Sequence, residues 1–302
     1  MLLFRNQLLC VLILISTVSY GQKEYCISSS DNISIYFQEF GRGETVVLLS
    51  GGPGLNPLYM DSVWLNLSSD FRCIVLHQRG TGKSMVSELD SSTFTMQNYV
   101  SDLEALRIEL GLKAMNIIGH SWGGMLGMEY TARYPEHVNK LILVGPGGPT
   151  DKLTKYCWDN MTMRLHPEDI EEINTLDSLK KSTLKGGWPG YFYDRTRALE
   201  SKSNINFEMI TRYASLSQYA VPNYFLLQDE RVDLLRNYHN IVHIIQGRQD
   251  PMGESTVFEI KEIMPQAQIH FIEKCGHFPW LENEKQIKEF YQLLRNALKE
   301  NK

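Results

Sequence analysis

The stretch "GHSWGG" at residues 119–124 places a serine among glycines, between two segments of different character. The apolar run "AMNIIG" at 114–119 predicts a buried strand, and "WGGMLGMEYTARY" at 122–134 predicts a helix. In this context G-x-S-x-G is typical of a sharp strand-to-helix turn that lifts the serine hydroxyl clear of the strand. Ser121 is therefore either a nucleophile or a structural turn residue, and the flanking segments favour the nucleophile.

Strand-like and helix-like segments alternate along most of the chain. Continuous apolar runs are typical of strands that are buried on both faces of a parallel sheet. The predicted strands span 33–40, 45–50, 72–77, 114–119, 138–145, 241–247 and 267–272. Apolar residues recur at steps of three and four between 93 and 110, and again from Ile287 to Leu298, which predicts two amphipathic helices. The alternation predicts an α/β fold with a mostly parallel central sheet and helices on both faces.

The alternation stops at "GPGGPT" (145–150) and resumes with the strand that begins at 241. The segment between them has a mostly helical pattern and contains aromatic clusters such as "WPGYFY". We predict a core formed by residues 22–149 and 237–302, with residues 150–236 inserted as a helical cap. The aromatic residues of the cap either line a pocket or form a small core of their own.

Residues 1–21 have the features of an export signal. Arg5 supplies a positive charge, "LLCVLILISTV" at 8–18 is apolar, and "SYG" at 19–21 offers small residues for cleavage. A membrane-spanning helix needs roughly 18–20 apolar residues, so we favour a cleaved signal peptide over a retained anchor. The expected mature protein is exported, either periplasmic or secreted, with no stable membrane insertion.

Charge and cysteine content restrict the classes of function. The formal net charge of −5 gives no broad basic surface for nucleic acid. No CxxC or HExxH motif is present, so no structural or catalytic zinc site is expected. Four scattered cysteines do not make a disulfide framework, and we expect most of them to be buried thiols. The cysteines beyond the export signal are Cys26, Cys73, Cys157 and Cys275.

A serine nucleophile needs a general base, and the base needs an orienting carboxylate. In folds with this turn the chain order is serine, acid, histidine. Asp250 follows the predicted strand 241–247, and His277 follows the next predicted strand. We therefore predict Ser121, Asp250 and His277 as a catalytic triad.

Two backbone amides are needed to hold the oxyanion that forms during acyl transfer. One is expected from Trp122, which follows the nucleophile. The other is expected from the glycine loop "SGGPG" at 50–54, which follows an apolar strand. Gly52 is the preferred donor and Gly51 the alternative, because a loop without side chains lets a substrate approach its backbone closely.

Six motifs together resemble the α/β-hydrolase superfamily and, within it, the proline iminopeptidase-like branch of serine peptidases. They are "GGPG" at 51–54, "QRGTGKS" at 78–84, "DLEALRIELGL" at 102–112, "GHSWGG" at 119–124, "GRQD" at 247–250 and "CGHFPWLENE" at 275–284. The resemblance implies an aminopeptidase that releases an N-terminal residue, typically proline, from a small peptide. It also implies the same triad, oxyanion amides from Gly52 and Trp122, no cofactor, and acidic cap residues that hold the substrate amine.

The chain departs from the family pattern at several places. Ser50 stands where histidine usually precedes "GGPG", and His77 stands where aspartate usually precedes "QRG". The resemblance implies that both changes alter the support of the oxyanion loop, whereas His77 and His120 themselves are expected to be structural. The family's glutamate-bearing cap motif is not recognisable. The candidate carboxylates for an amine anchor are Asp194, Asp229 and Glu230.

The substrate thus remains open at the level of sequence. A carboxylesterase or amidase that acts on small apolar acyl groups would use the same catalytic residues. A non-catalytic binding protein of the same fold is a further alternative, which the intact triad disfavours. No feature of the sequence indicates an oligomeric state.

Overall fold

The computed structural model describes residues 22–86, 89–152, 155–211 and 214–301. The predicted export signal at 1–21 lies outside the described residues. Within the described ranges, no helix combines the length and the apolar character needed to cross a membrane.

A single mixed sheet organises the described residues. Its strands lie in the order β1-β2-β4-β3-β5-β6-β7-β8, numbered along the chain. Their bounds are β1 Lys23–Ser28, β2 Ser34–Phe40, β3 Thr45–Leu49, β4 Arg72–Leu76, β5 Met115–His120, β6 Val138–Val144, β7 Ile241–Gly247 and β8 Gln268–Ile272. β2 pairs antiparallel with both β1 and β4, and all other pairs are parallel. The predicted α/β fold with a mostly parallel sheet is confirmed.

The predicted strands are all present within one or two residues of their predicted bounds, and β1 is an addition. β1 is a mostly exposed edge strand in which Ile27 is the buried residue. A strand of this kind carries no continuous apolar run, so the criterion that found the buried strands could not find it.

Helices cover both faces of the sheet. The helices flanking the sheet are α1 Asp61–Leu67, α2 Met96–Glu109, α3 Trp122–Arg133, α11 Glu254–Ile263 and α12 Glu284–Lys299. The side chains of β3 alternate between the two cores, because successive residues of a strand point to opposite faces. Val47 packs in the core that includes Leu103 of α2, whereas Val46 packs in the core that includes Phe290 of α12.

Helices also fill the interval between β6 and β7. They are α4 Lys155–Thr162, α5 Pro167–Ser178, α6 Leu184–Gly187, α7 Arg195–Asn204, α8 Phe207–Ile210, α9 Ser217–Leu226 and α10 Gln228–Leu235. Among the aromatic residues of this segment, Trp188 and Phe192 are buried, and Trp188 stacks on Phe278 with ring centroids 4.3 Å apart. These two rings join the core beside α12 instead of forming a separate cap core.

The cysteine prediction was half right. Cys73 and Cys275 are buried free thiols, but Cys26 is exposed on β1 and Cys157 of α4 is only partly buried. Burial raises the pKa of the Cys157 thiol to about 12, which makes it a poor nucleophile near neutral pH.

A buried ion pair joins α10 to α3, the helix that follows Ser121. Arg231 of α10 and Glu129 of α3 are both fully buried, and Nη1 donates to Oε2 at 2.7 Å. Arg231 also donates to the Pro149 carbonyl at 2.7 Å, and its guanidinium lies 3.4 Å from the centre of the Tyr224 ring. Glu129 therefore balances the charge of Arg231, and oxygen atoms of the protein accept hydrogen bonds from its N–H groups.

We expect Arg231→Met to lower the free energy of unfolding by about 3–5 kcal/mol, because it leaves the Glu129 charge buried with only Arg133 beside it. Denaturant titration of purified proteins measures the loss. Arg236→Met is the matched control: Arg236 pairs with Asp233 at an exposed surface, so its loss should stay below about 1 kcal/mol. Equal losses in the two variants would show that the buried pair has no special role.

Candidate active site

Ser121 occupies a strained turn between β5 and α3. Its φ of 55° and ψ of −117° are rare for a residue with a side chain, and such values cluster at functional sites. The flanking glycines are required by close backbone contacts. A Cβ on Gly123 would lie 2.2 Å from the Leu49 carbonyl oxygen, and one on Gly119 would lie 2.4 Å from the Gly123 carbonyl oxygen. The sequence therefore folds into a tight turn that presents Ser121 above the sheet.

Asp250 and His277 form a buried hydrogen-bonded pair. Asp250 follows β7 and His277 follows β8, so the parallel pairing of these strands brings both residues to one edge of the sheet. His277 Nδ1 lies 2.8 Å from Asp250 Oδ2, and both residues are about 3% exposed. Because a carboxylate accepts, Nδ1 carries the proton, and Nε2 is left as the basic atom of the ring.

Ser121 and His277 line the same cavity of about 230 Å³. Within the described ranges, no hydrogen bond joins their side chains. Contacts of this kind are often long before substrate binds. The structure thus brings together the three predicted triad residues, two of them in direct contact.

The glycine loop lies beside Ser121, on the same cavity. The Gly51 N–H donates to the Tyr59 hydroxyl at 2.6 Å, so that amide already has a partner. Gly52 also lines the cavity and has a φ of 125°, which favours glycine. Of the two predicted alternatives, these observations therefore favour Gly52 over Gly51 as the donor.

Gln78 connects the two predicted oxyanion elements. Its Nε2 donates to the Ser50 carbonyl at 2.8 Å, and its Oε1 accepts from Trp122 Nε1 at 3.0 Å. Sequence analysis did not assign a role to Gln78, although it begins the "QRGTGKS" motif. The Ser50 hydroxyl donates across the same loop to the Leu55 carbonyl at 3.2 Å, so Ser50 does support the loop, as its position implied.

The hydrogen bonds that the structure gives the His77 ring do not involve the glycine loop, and an effect of His77 on the support of that loop stays a prediction. The His77 ring contacts the Gln38 side chain and accepts from the Lys83 amide at 3.2 Å. Burial lowers the pKa of His77 to about 4, so it is neutral near pH 7. The structural role expected for His77 agrees with these contacts.

Sequence reasoning also missed three residues that surround the Asp250–His277 pair. Gly145 has a φ of 49°, and a Cβ there would lie 2.6 Å from Asp250 Oδ2. The Tyr191 carbonyl accepts from the His277 amide at 2.7 Å. His120, which we expected to be purely structural, lines the cavity with its ring centroid 4.5 Å from that of His277. "GPGG" after β6 was the available signal for Gly145. The aromatic cluster "WPGYFY", for which lining a pocket was one predicted role, was the signal for Tyr191.

No Asp, Glu, Lys or Arg side chain is among the described residues that line the cavity. The lining consists of Gly51, Gly52, Pro53, Leu55, His120, Ser121, Ser182, Leu184, Tyr191, Ser217, Met252, His277 and Phe278. None of the candidate amine anchors is among these residues. Asp194 caps α7 and accepts from Asn283, Glu230 pairs with Arg133, and Asp229 is exposed on α10. In the part of the chain that the structure describes, no group of three or more His, Cys, Asp or Glu side chains is arranged to hold a metal ion.

Comparison with known proteins agrees with this geometry. The model of the α/β hydrolase fold family matches residues 44–284. The chain belongs to the α/β-hydrolase fold family. It is a hydrolase of this superfamily, and the resemblance to the proline iminopeptidase-like branch is confirmed by relatives of that name.

One such relative is the proline iminopeptidase of Xylella fastidiosa, which is 33% identical over 281 residues covering 82% of this chain and 88% of that protein. A cis-3-alkyl-4-alkyloxetan-2-one decarboxylase of Shewanella oneidensis is 28% identical over 85% of this chain and 83% of its own length. Among solved structures, an esterase from Exiguobacterium antarcticum superposes with a TM-score of 0.66 at 20% identity, covering 91% of this chain and 99% of that one. The relatives thus share the fold but carry different activities in their names.

We expect Gly145→Ala to reduce hydrolysis of a short acyl ester about 100-fold, because the added methyl group displaces Asp250 or His277. Steady-state kinetics and a thermal melt measure the two effects separately. Gly111→Ala is the matched control, since Gly111 also has a positive φ of 63° but a Cβ there meets nothing within 4 Å. Gly111→Ala should lose about 1 kcal/mol of stability and keep full activity. Full activity in Gly145→Ala would contradict the role given to the Asp250–His277 contact.

Proposed function

We propose that this protein is a serine hydrolase that works through an acyl-enzyme on Ser121. The observation that carries the proposal is the 2.8 Å contact between Asp250 and His277 in the cavity that Ser121 also lines. This pair supplies an oriented base next to a strained serine, which is the arrangement that nucleophilic catalysis by serine requires.

In the proposed reaction, His277 Nε2 takes the proton from Ser121 Oγ as the hydroxyl attacks the substrate carbonyl carbon. The Gly52 and Trp122 amides donate to the oxyanion that forms. His277 then protonates the leaving group as the bond to it breaks, leaving the acyl group on Ser121. His277 then takes a proton from water as the water attacks the acyl-enzyme, and it returns that proton to Ser121 Oγ as the acid is released. Asp250 keeps the imidazole in the required tautomer and stabilises its protonated form.

The cavity favours a small, uncharged acyl group. Its volume of about 230 Å³ accommodates only part of a larger substrate, and none of its described lining residues is a carboxylate. An ester or amide of a small neutral acid therefore matches the site better than a substrate with a free amine beside the scissile bond. A buried ammonium group would lack the charged partner that such a group needs.

The second candidate is an aminopeptidase that releases N-terminal proline. The observation that favours it is the relative named proline iminopeptidase, which is 33% identical over most of this chain. This candidate requires an amine-binding group other than a carboxylate of the cavity wall, or a rearrangement of the cap that brings one there.

One substrate series separates these candidates. Release of arylamine from proline, alanine and leucine arylamides is measured beside hydrolysis of a short acyl ester, with Ser121→Ala as the control. Ester hydrolysis at least tenfold more efficient than any arylamide hydrolysis supports the proposal. Strong preference for the proline arylamide would overturn the ester assignment in favour of the aminopeptidase. If Ser121→Ala retains the activity, or a serine-reactive phosphonate leaves the unaltered protein unlabelled, the serine mechanism itself is refuted.

A wide groove adjoins the cavity and provides room for the remainder of the substrate. The groove has a volume of about 990 Å³ and lies between the end of α5 and the start of α9. Ser182 and Ser217 line both the groove and the cavity, so the two spaces are neighbours at these residues. We propose that a substrate with its carbonyl at Ser121 extends past these serines into the groove.

We expect Ser182→Trp to reduce the space between the cavity and the groove, and therefore to slow hydrolysis of large esters more than that of small ones. The value of kcat/KM for an ester with a bulky leaving group should fall at least about tenfold, while that for a methyl ester of the same acid changes less than about threefold. Ser178→Trp serves as the control, because Ser178 is exposed on α5 and lines neither space. Equal effects of Ser182→Trp on both esters would show that the substrate takes another path.

A further inference from the structure

Three consecutive hydrogen bonds link the loop of the candidate base to the glycine loop. His120 Nε2 lies 3.0 Å from the His277 carbonyl oxygen, and His120 Nδ1 lies 2.8 Å from the Tyr59 hydroxyl. The Tyr59 hydroxyl in turn accepts from the Gly51 amide at 2.6 Å. His120 and Tyr59 are both buried, so water does not compete for these contacts.

The chemistry of the groups fixes the direction of every bond in this chain. A carbonyl oxygen can only accept, so His120 Nε2 must carry the ring proton. His120 Nδ1 is then an acceptor, and the Tyr59 hydroxyl donates to it while accepting from the Gly51 N–H. Burial and the neighbouring His277 hold the pKa of His120 well below its usual range, so the ring stays neutral. Each group in the chain is satisfied in this one arrangement.

The sheet alone does not set the distance between the two loops that this chain joins. The glycine loop follows β3 and the His277 loop follows β8, and β5, β6 and β7 lie between those strands. His120 is the last residue of β5, directly before Ser121. A Cβ on Gly51 would lie 3.1 Å from Ser121 Cβ and 2.9 Å from the Tyr59 hydroxyl. The loop is therefore so close to Ser121 that small movements of it change the distance between its amides and the nucleophile.

We propose that Tyr59 and His120 are positioning residues. They hold the Gly52 amide, the proposed oxyanion donor, at the correct position relative to Ser121 and His277. This inference rests on the proposed serine mechanism. Neither residue exchanges a proton with substrate. Tyr59 keeps the Gly51 amide turned away from the cavity, which leaves the next amide, that of Gly52, to face the oxyanion. Loss of the chain should therefore weaken transition-state binding more than substrate binding.

The test is Tyr59→Phe, which removes the hydroxyl and keeps the ring. We expect kcat for a short acyl ester to fall about 10- to 100-fold with KM changed less than about threefold, because a misplaced oxyanion donor acts mainly in the transition state. Tyr238→Phe is the matched control, since Tyr238 is equally buried and its hydroxyl donates to the Val138 carbonyl at 3.3 Å, away from the site. An unchanged kcat in Tyr59→Phe, or an equal loss in Tyr238→Phe, would overturn the proposal.

A double variant distinguishes a connected chain from two independent structural roles. If the chain acts as a unit, Tyr59→Phe combined with His120→Phe should lower kcat no more than about threefold beyond His120→Phe alone. Multiplying losses would contradict the coupling of the two residues.

Hydrogen exchange gives a readout that does not depend on activity. Amide exchange in the peptide that contains residues 50–56 should accelerate at least tenfold in Tyr59→Phe and stay unchanged in Tyr238→Phe. If the unaltered protein hydrolyses neither the ester nor any arylamide but this exchange difference appears, the serine mechanism fails while the positioning of the loop stands. If the ester is hydrolysed and amide exchange is the same in the unaltered protein, Tyr59→Phe and Tyr238→Phe, only the positioning proposal is refuted.

Discussion

The parallel pairing that runs from β3 through β5, β6, β7 and β8 is the constraint on which the candidate site depends. Parallel strands end at a common edge, and ligands of open α/β sheets bind outside that edge. Here the glycine loop follows β3, Ser121 follows β5, Asp250 follows β7 and His277 follows β8. Four segments that are distant in sequence thereby line or support one small cavity. No local interaction between them could replace the backbone hydrogen bonds of the sheet.

Close contacts between backbone segments and neighbouring side chains then determine the local geometry of the site. The turn at Ser121 needs glycine on both sides, and the Asp250–His277 pair needs the absence of a side chain at Gly145. The loop of His277 is also held from the cap side. A Cβ on Gly276 would lie 2.1 Å from the Tyr191 carbonyl oxygen, and the buried Glu282 carboxylate accepts from the amides of both Gly276 and Tyr193 through Oε1. The segment between β6 and β7 therefore supports the candidate base directly, besides covering the cavity.

The sequence allowed the prediction of those features that leave a periodic or local signal. Buried strands appear as apolar runs, and the turn at Ser121 appears as glycines between a strand and a helix. Asp250 and His277 followed from chain order and from their places after two strands. Tyr59 and Gln78 could not be assigned in the same way, because their roles arise from contacts across the sheet. The Tyr59 hydroxyl meets His120, which lies 61 positions later, and Gln78 meets Trp122, 44 positions later. No carboxylate is among the described lining residues of the cavity. This also depends on how the segment between β6 and β7 packs over the sheet, and the weak helical patterns of that segment did not predict its packing.

The most direct test of this account is to trap the covalent intermediate. The protein is mixed with a short acyl nitrophenyl ester, quenched with acid within milliseconds to seconds, and digested for peptide mass spectrometry. The account predicts one added acyl group on the peptide that contains Ser121, and no adduct in Ser121→Ala. Turnover of the ester with the acyl group on another residue, or undiminished turnover in Ser121→Ala, would contradict it.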